Sequence, residues 1–589
     1  MKTIFTAVLM SFKASIEEFK TKDTRFHVHC FTQADNLPFE DMSLWHITYL
    51  QNKPTPIVLL TITIGLTGIV GCHFNPKIPI AQSSVTNTET FKQCETPESN
   101  RFAVEENLGD FSSQPDDSYV QDPESYFDIS VGGGVIVADF NGDTRPDIFI
   151  PTHGQDLLYL NQGKRRFRLA SDWMPSNGDI TYSVGGSAAD YDGDGDLDLY
   201  LVTAFGSDRL YQNTGHSFED VSLEVGISQS AGDSTAAVWF DYDLDGDLDV
   251  FIAGHKEDSF SEDQFPQATT NTLYQNANGT FEKVDLVDEA TEPFTYAAAW
   301  IQTNLGSRPW LYKVNDFGYE VVPNRIYDNT EAGFSLITGT GLDQPMYGMG
   351  IAQADLNDDQ IPDFLMSDFE RVQLFLSDGD EMWYETALAS GLDINKEENI
   401  FSWGVNIFDF DNDSDLDVFA GWGPVSNHGE GISSDDSLVQ PNTYWLNNED
   451  VFRNIGAEWQ LVAASISRGS AVADLDQDGL LDLVVGNINA PAEIRWGRCM
   501  NGKWVSIQLS QTTLNRYGVG SVISLDTEHG RQSRWIIAGD SFASGGPPVA
   551  HFGLGETELE QITIEVTLPD GTQSSHQIAV NQHTTVTLD

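Results

Sequence analysis

Between residues 130 and 498 the chain repeats one alternation of apolar and polar positions. "VGGSAADYDGDGDLDLYLV" runs from small apolar residues through an acidic loop into a run of Leu, Tyr and Val. "RLYQNTGHSFEDV" follows, two short apolar runs parted by an Asn- and Gly-bearing turn. Runs this short, with no 3.6-residue period and with turn residues at their ends, predict strands and hairpins. One unit therefore reads strand, acidic loop, strand, loop, strand, turn, strand. The acidic loops begin at 139, 190, 241, 355, 409 and 474, mostly a little over fifty residues apart. The double step after 241 hides a further unit: "AAAWIQTNLGSRPWLYKV" aligns with "AAVWFDYDLDGDLDVFIA", its strands kept and its carboxylates lost. Four antiparallel strands per unit of this length predict propeller blades in preference to a linear β-solenoid. The expected fold is all-β: a seven-bladed β-propeller over 130–498, one blade lacking the metal loop. The small residues of the first strands suit the crowded innermost position.

The pattern changes at both ends. Over 499–589, "WVSIQLS", "GVGSVISLDT", "QITIEVTL" and "TTVTL" alternate apolar and polar positions, as half-buried strands of a small antiparallel β-sandwich do. Residues 1–71 read as a leader and signal peptide, with Met42 as an alternative start. The run "PIVLLTITIGLTGIVGC" is about 15 residues of mostly apolar chain, signal-peptide length and short of a membrane span. Its end, "IVGC", resembles a bacterial lipobox, which makes Cys72 the expected lipidation site; a plain N-terminal membrane anchor is the alternative. The Ser-, Thr-, Asn- and Pro-bearing stretch 72–129 reads as a polar tether.

The acidic loops carry the candidate chemistry. At loop positions 1, 3, 5 and 9 stand Asp139, Asn141, Asp143 and Asp147; Asp190, Asp192, Asp194 and Asp198; Asp241, Asp243, Asp245 and Asp249; Asp355, Asn357, Asp359 and Asp363; Asp409, Asp411, Asp413 and Asp417; and Asp474, Asp476, Asp478 and Asp482. Two carboxylates about 4 Å apart repel by roughly 4 kcal/mol at an effective dielectric near 20, so a fold that converges them calls for a cation between them. All-oxygen ligands at this density suit Ca²⁺ before Mg²⁺. Gly193 and Gly195 permit the positive φ that such a turn needs. An EF-hand would place Glu at position 12; here that position is apolar in every copy, Leu201 among them. The expected cofactor is about six structural Ca²⁺ ions.

With the loops in place, the units resemble FG-GAP/VCBS repeats, the calcium-loop blades also found in integrin α-chain propellers. "FEDVSLEVGI", "YGMGIAQADLNDD", "SWGVNIFDFDNDSDLDVF" and "RGSAVADLDQDGLLDLVVGNINAP" resemble the cartilage acidic protein-like family. "NGKWVSIQL", "LNRYGVGSVISL", "HFGLGE" and "LPDG" resemble that family's C-terminal ASPIC/UnbV domain. Leu568 stands where the family usually has Trp, and "GGPP" stands where a Ser-Gln pair is common. The resemblance implies exported or surface-exposed calcium-binding proteins assigned to binding or adhesion.

The formal net charge is −60, and six divalent cations would carry only +12 against it. Such a surface repels nucleic acid and anionic lipid, so no nucleic-acid partner is expected. No HExxH, GxSxG, Cys-His zinc spacing or phosphate loop occurs. Long loops after the second strands of blades three and six bring His255, Lys256, Trp422 and His428 toward one face, a candidate ligand face. Cys94 and Cys499 flank the ring; they either pair as a disulfide or stand as two free thiols. The reading is an exported calcium-binding propeller recognising an extracellular protein or glycan. Its expected place is a bacterial outer-membrane or cell-surface lipoprotein, otherwise periplasmic or secreted, touching membrane only through its N-terminal anchor. The alternatives are a propeller-scaffold polysaccharide lyase or hydrolase, and a structural envelope component.

Overall fold

The computed structural model describes residues 132–588, apart from 176–180, 205, 228–231, 258–266, 285, 287–290, 303–305, 393–399, 425–439, 449–450, 457–460, 462–465, 489 and 498–501. Ahead of these it describes the backbone of Leu60–Ile64, Gly68–Cys72 and Phe102–Val104. The chain divides into two units, Met1–Gln93 and Cys94–Asp589. In the first, Leu60–Ile64 pairs with Gly68–Cys72 as an antiparallel hairpin.

The second unit is built of strands, with no helix among the described residues. Seven sheets follow one another along the chain with the order expected of blades; in the first, Ile136–Ala138, Asp147–Ile150, Leu157–Asn161 and Phe167–Leu169 lie side by side and pass over the short strand His153–Gly154. Blade 3 is typical: Gly232–Phe240, Asp249–Glu257, Thr272–Asn276 and Phe281–Val284, all antiparallel. Blade 2 gains a fifth strand, His153–Gly154, at its inner edge. Both faces of a blade are covered by neighbours, which is why its second strands read as continuous apolar runs: all six residues of Asp198–Thr203 are buried.

The apolar clusters between sheets run in a cycle. Phe149 of blade 1 packs with Leu199 of blade 2, and Trp239 of blade 3 with Tyr200 of blade 2. Blades 3 and 4 meet through Phe251 and Trp300, 4 and 5 through Tyr312 and Phe364, 5 and 6 through Leu374 and Val418, and 6 and 7 through Phe419 and Val485. Trp496 of blade 7 then packs with Ile148 of blade 1. A fully buried side chain such as Phe149 contributes about 1.5–3 kcal/mol over its exposed state. The last sheet also takes its outer strand from the start of the unit: Phe102–Val104 pairs antiparallel with Glu493–Gly497. This corrects the tether expectation at those residues. Pairing an early strand onto the last sheet removes an exposed edge and ties distant parts of the chain together.

The C-terminal domain has two sheets, Val549–Gly555/Lys503–Ser510/Gln582–Thr587 and Arg531–Trp535/Val522–Asp526/Gln561–Thr567/Gln573–Ala579. Lys503–Ser510 pairs parallel with Gln582–Thr587, so the sandwich is mixed where an antiparallel one was expected. Its segment Ile536–Gly545 enters the middle of the blades. Val137 N–H donates to Gly545 O (2.9 Å), Gly186 to Ala543 O (3.2 Å), Trp239 to Ala538 O (3.0 Å) and Ile351 to Ser541 O (3.1 Å). Val405 N–H reaches Ser541 Oγ (3.1 Å), which also meets Ser470 Oγ (3.1 Å). Phe542, fully buried, sits edge-on to Tyr296 of blade 4 and Trp403 of blade 6. The first strands thus face a plug, and this is the physical reason they are rich in small residues. A Cβ on Gly185 would fall 2.0 Å from Ala543 O, and one on Gly134 2.1 Å from the same atom.

Candidate metal centres

The six acidic loops share one backbone path. Position 4 is left-handed in each (Gly142, Gly193, Leu244, Asp358, Asn412, Gln477), and so is position 6 (Thr144, Gly195, Gly246, Gln360, Ser414, Gly479). Outside glycine this conformation costs of order 1 kcal/mol per residue, and something must hold it. The position-1 carboxylate is one such holder. Asp241 Oδ1 accepts from Asp245 N–H (3.0 Å) and Oδ2 from Gly246 N–H (3.0 Å). Asp139, Asp355, Asp409 and Asp474 accept from the same two positions of their own loops, and Asp190 from Gly193 and Gly195. Position 5 accepts from position 7, as Asp194 does from Asp196 N–H (2.9 Å).

Position 9 opens the second strand and is fully buried in all six. Its two oxygens serve two backbones. Asp198 Oδ2 accepts from Tyr191 N–H (3.1 Å) and Oδ1 from Asn213 N–H (2.8 Å) at the end of the third strand. Asp147, Asp249 and Asp417 repeat this with Asn161, Asn276 and Asn447. The sequence reading passed over the role of these asparagines, although three of them stand in "YLNQG", "YQNTG" and "YQNAN", and Asn329 holds the matching place in blade 4's "YDNTE". The amides of four of them clamp the preceding blade's loop at position 2: Asn213 Nδ2 to Phe140 O, Asn276 Nδ2 to Tyr191 O, Asn329 Nδ2 to Tyr242 O, and Asn161 Nδ2 to Leu475 O, at 2.7–2.8 Å.

Four loops bring three carboxylates together, with oxygens within 4.8 Å of one another: Asp190/Asp192/Asp194, Asp241/Asp243/Asp249, Asp409/Asp411/Asp417 and Asp474/Asp476/Asp482. In blades 1 and 5, Asn141 and Asn357 replace one carboxylate, and Asn357 Nδ2 donates to Ser377 O (2.8 Å). Burial, and then neighbouring carboxylates, push these acids up: Asp147 to about 8, Asp190 and Asp355 to about 7, Asp478 to about 6. Asp241 rises to about 7 through burial against its backbone bonds. Asp409 and Asp417 in blade 6 rise well above the usual range through burial and then through the neighbouring charges of Asp411 and Asp413. Basic side chains lie beside one loop: Arg165 pairs with Asp476, and His583 Nε2 lies 3.0 Å from Asp474 Oδ2. The donor set is oxygen, anionic and held short of water, which fits a hard divalent cation.

In blade 4 the corresponding loop has reversed polarity. Gln302 stands at position 1, and its Nε2 donates to Ser307 O (2.8 Å), where Asp241 accepts from the equivalent residue's N–H. Trp310 replaces the position-9 Asp.

The loops also carry the C-terminal domain. Tyr517 Oη donates to Gly195 O (2.8 Å), Asn515 N–H to Gly246 O (3.0 Å), and Gly306 N–H to Pro569 O (3.1 Å). Gly555 N–H donates to Asn412 O (2.9 Å), and His551 Nε2 meets Asn412 Oδ1 (3.0 Å). Loop shape therefore sets the seat of the second domain, which no sequence spacing indicated.

The expected ligand face is different from its forecast. His255, Lys256 and Trp422 are all buried. His255 stacks on Tyr296 at 4.0 Å between centroids, with Nε2 3.4 Å from Asp316 Oδ2. Lys256 Nζ is 3.7 Å from Asp233 Oδ2, and Trp422 Nε1 donates to Thr443 Oγ1 (2.8 Å). Their polar atoms are spent inside the protein, because the second strands carry them inward before the long loops begin. His428, Cys94 and Cys499 lie outside the described residues, as does the side chain of Cys72.

Comparison with known proteins agrees with this geometry. The FG-GAP-like repeat family matches residues 139–201, 190–252 and 355–420, and the ASPIC and UnbV family matches 511–589. Cartilage acidic protein 1 of Homo sapiens is 24% identical over 497 residues, covering 77% of this chain and 71% of its own. The Mus musculus protein of that name is likewise 24% identical, with 77% and 73% covered. A solved Agrocybe aegerita lectin, described for recognition of non-reducing terminal N-acetylglucosamine, covers 60% of this chain and 88% of its own at 15% identity; its TM-score of 0.36 is too low to carry an argument. The chain thus joins FG-GAP repeats to an ASPIC/UnbV domain and is homologous to cartilage acidic protein 1 over 77% of its length, at low identity.

Proposed function

We propose that this protein is an exported propeller whose acidic loops hold structural Ca²⁺, and that it recognises a protein or glycan outside the membrane. The observation that carries the calcium reading is convergence without enough countercharge. Three carboxylates within reach of one ion, on loops with two left-handed residues each, make a costly arrangement that a divalent cation stabilises. The ion would be held by positions 1, 3, 5 and 9, and it supplies charge neutralisation and a fixed loop shape. Because those loops seat the C-terminal domain, calcium would set the domain arrangement as well as blade stability.

Export is supported by the apolar run ending at Cys72 and by homology to proteins named for cartilage. Recognition is supported by the form of the molecule, a rigid scaffold of paired strands with a second domain seated on its loops. The lyase or hydrolase alternative gains no open funnel, since Phe542 and its neighbours occupy the middle of the blades. The decisive experiment is calorimetric melting of the purified protein in millimolar Ca²⁺ and in chelator. A large fall on chelation, reversed by Ca²⁺ and poorly by Mg²⁺, is expected. Identical melting in the two buffers would remove the calcium reading.

A further inference from the structure

The seam where blades 4 and 5 face the C-terminal domain forms a cleft of about 420 Å³ that is open to solvent along Glu565, Gln573 and Ser575. One wall is a face of the four-stranded sheet. The register places Trp535 opposite Val522, Ser575 opposite Glu565, and Gln573 opposite Thr567, so these residues share that face. The alternate positions Ile523, Leu525, Ile564 and Val566 are buried in the sandwich core. The other wall comes from the propeller: Gln302 of the carboxylate-free loop and Gln360 of the blade 5 loop.

The lining has a definite chemistry. Its charged groups are Arg531 and Glu565, which pair with each other, and Arg531 also lies 3.3 Å from Asp526, so the lining offers an anion no unpaired cation. Its remaining polar groups are mostly carboxamides and hydroxyls, each both donor and acceptor. Trp535 Nε1–H and Arg531 Nε–H are out of water and meet no acceptor in the protein. Trp535 adds an indole ring to the lining.

We propose that this cleft binds one or two rings of a neutral saccharide. Sugar hydroxyls donate and accept at adjacent carbons, as carboxamides do, and the axial C–H face of a ring packs on indole. The size lies in the range of small-ligand sites, roughly 300–1,000 Å³. An anion would meet a negative protein and a guanidinium already neutralised by Glu565. A peptide adding as a strand needs a free sheet edge, whereas this wall is a sheet face. The loss of carboxylates in blade 4 then acquires a role: Gln302 gives the wall a neutral amide where Asp and its cation would stand. This site rests on the recognition reading for its class of partner; because Gln360 belongs to an acidic loop, binding is measured in millimolar Ca²⁺, so that loss of loop shape is not mistaken for loss of the site.

The test is a screen of the full chain against immobilised neutral hexose and N-acetylhexosamine oligosaccharides, with sulfated and uronic oligosaccharides as contrast. The strongest neutral binder is then titrated calorimetrically. Trp535→Ala is expected to weaken binding at least tenfold. Ser575→Trp, at an exposed position that tolerates substitution, is expected to block the cleft and abolish binding with an unchanged melting temperature. Neutral-glycan binding untouched by Ser575→Trp would overturn this site and leave glycan recognition standing elsewhere. Preference for the anionic set, or no glycan bound by protein that melts normally, would overturn the saccharide assignment, while a protein partner captured by that same chain would keep the broader recognition reading.

Discussion

Blades 3 and 4 are neighbours with loops of equal length and opposite chemistry. In both, the residue before the loop pairs with the residue that ends it: Phe240 with Asp249, and Ile301 with Trp310. In both, a buried Trp one position earlier pairs with an apolar residue, Trp239 with Val250 and Trp300 with Leu311. Both also donate the third-strand Asn amide to the preceding loop, Asn276 to Tyr191 O and Asn329 to Tyr242 O. Yet blade 4 has no aspartate at the ligand positions. A blade therefore pairs and packs without carboxylates, and the carboxylates of blade 3 serve something beyond strand pairing. The contrast separates two stabilising systems, an apolar and amide-clamped one common to both blades and an ionic one specific to blade 3.

Calcium removal is the largest expected blow to that separation. A single site at 100 times its Kd contributes about 2.7 kcal/mol, and with several sites the melting temperature should fall by more than roughly 10 °C in chelator. If the melting curve instead fails to move, the ionic system does not exist and the two blades differ only in surface charge. Asp241→Ala comes next. In Ca²⁺ it should cost about 2–4 kcal/mol, since it strips a ligand and leaves Asp245 and Gly246 N–H groups unpaired. Gln302→Ala should cost about 1 kcal/mol and be indifferent to the metal. Chemical denaturation of both variants, with and without Ca²⁺, measures the difference; equal calcium dependence would erase the distinction.

The pH response sharpens it further. Burial raises Asp190, Asp241 and Asp355 to about 7 and Asp147 to about 8 in the cation-free protein. The folded state then holds more protons than the unfolded one between about pH 4 and 7, so stability is greatest at low pH and is lost as pH rises through the folded values. Asp540 in the plug, raised to about 7 by burial, adds to the same slope. Melting in chelator should therefore rise between pH 8 and pH 5. In Ca²⁺ the slope should flatten or reverse, because protons compete for the ligands. A rising curve of equal slope in both buffers would count against metal ligation. The shared system should show an effect no larger than that of Gln302: Asn329→Ala and Asn276→Ala should each cost about 1 kcal/mol, with no dependence on Ca²⁺. A calcium-dependent loss at Asn329 would show that the clamp and the ion are not separable.

Much of this was legible in the residues because it is local. Gly193 and Gly195 announced the left-handed turn, and the structure extends it to Leu244 and Gln477, which no glycine marked. The alternation in "AAAWIQTNLGSRPWLYKV" was enough to place a carboxylate-free blade, since strand pairing depends on apolar positions that it kept. His255, Lys256 and Trp422 misled because adjacency to a long loop was read as exposure, while their burial depends on Tyr296, Asp233 and Thr443 from other strands. The strand Phe102–Val104 escaped for the same reason: three residues in a polar stretch become a strand only when Glu493–Gly497 presents an unpaired edge.

The sequence by itself determined most of the strands, the loop positions whose carboxylates converge, and the blade without them, because each follows from side chains within about ten residues of one another. Tertiary structure decided which groups meet across hundreds of residues. It placed Ala543 and Phe542 in the middle of the blades and the C-terminal domain on the acidic loops, and it formed the amide- and hydroxyl-lined cleft beside Gln302. Those contacts arise from how successive sheets pack on one another and the space they leave to be filled, quantities that no local period encodes.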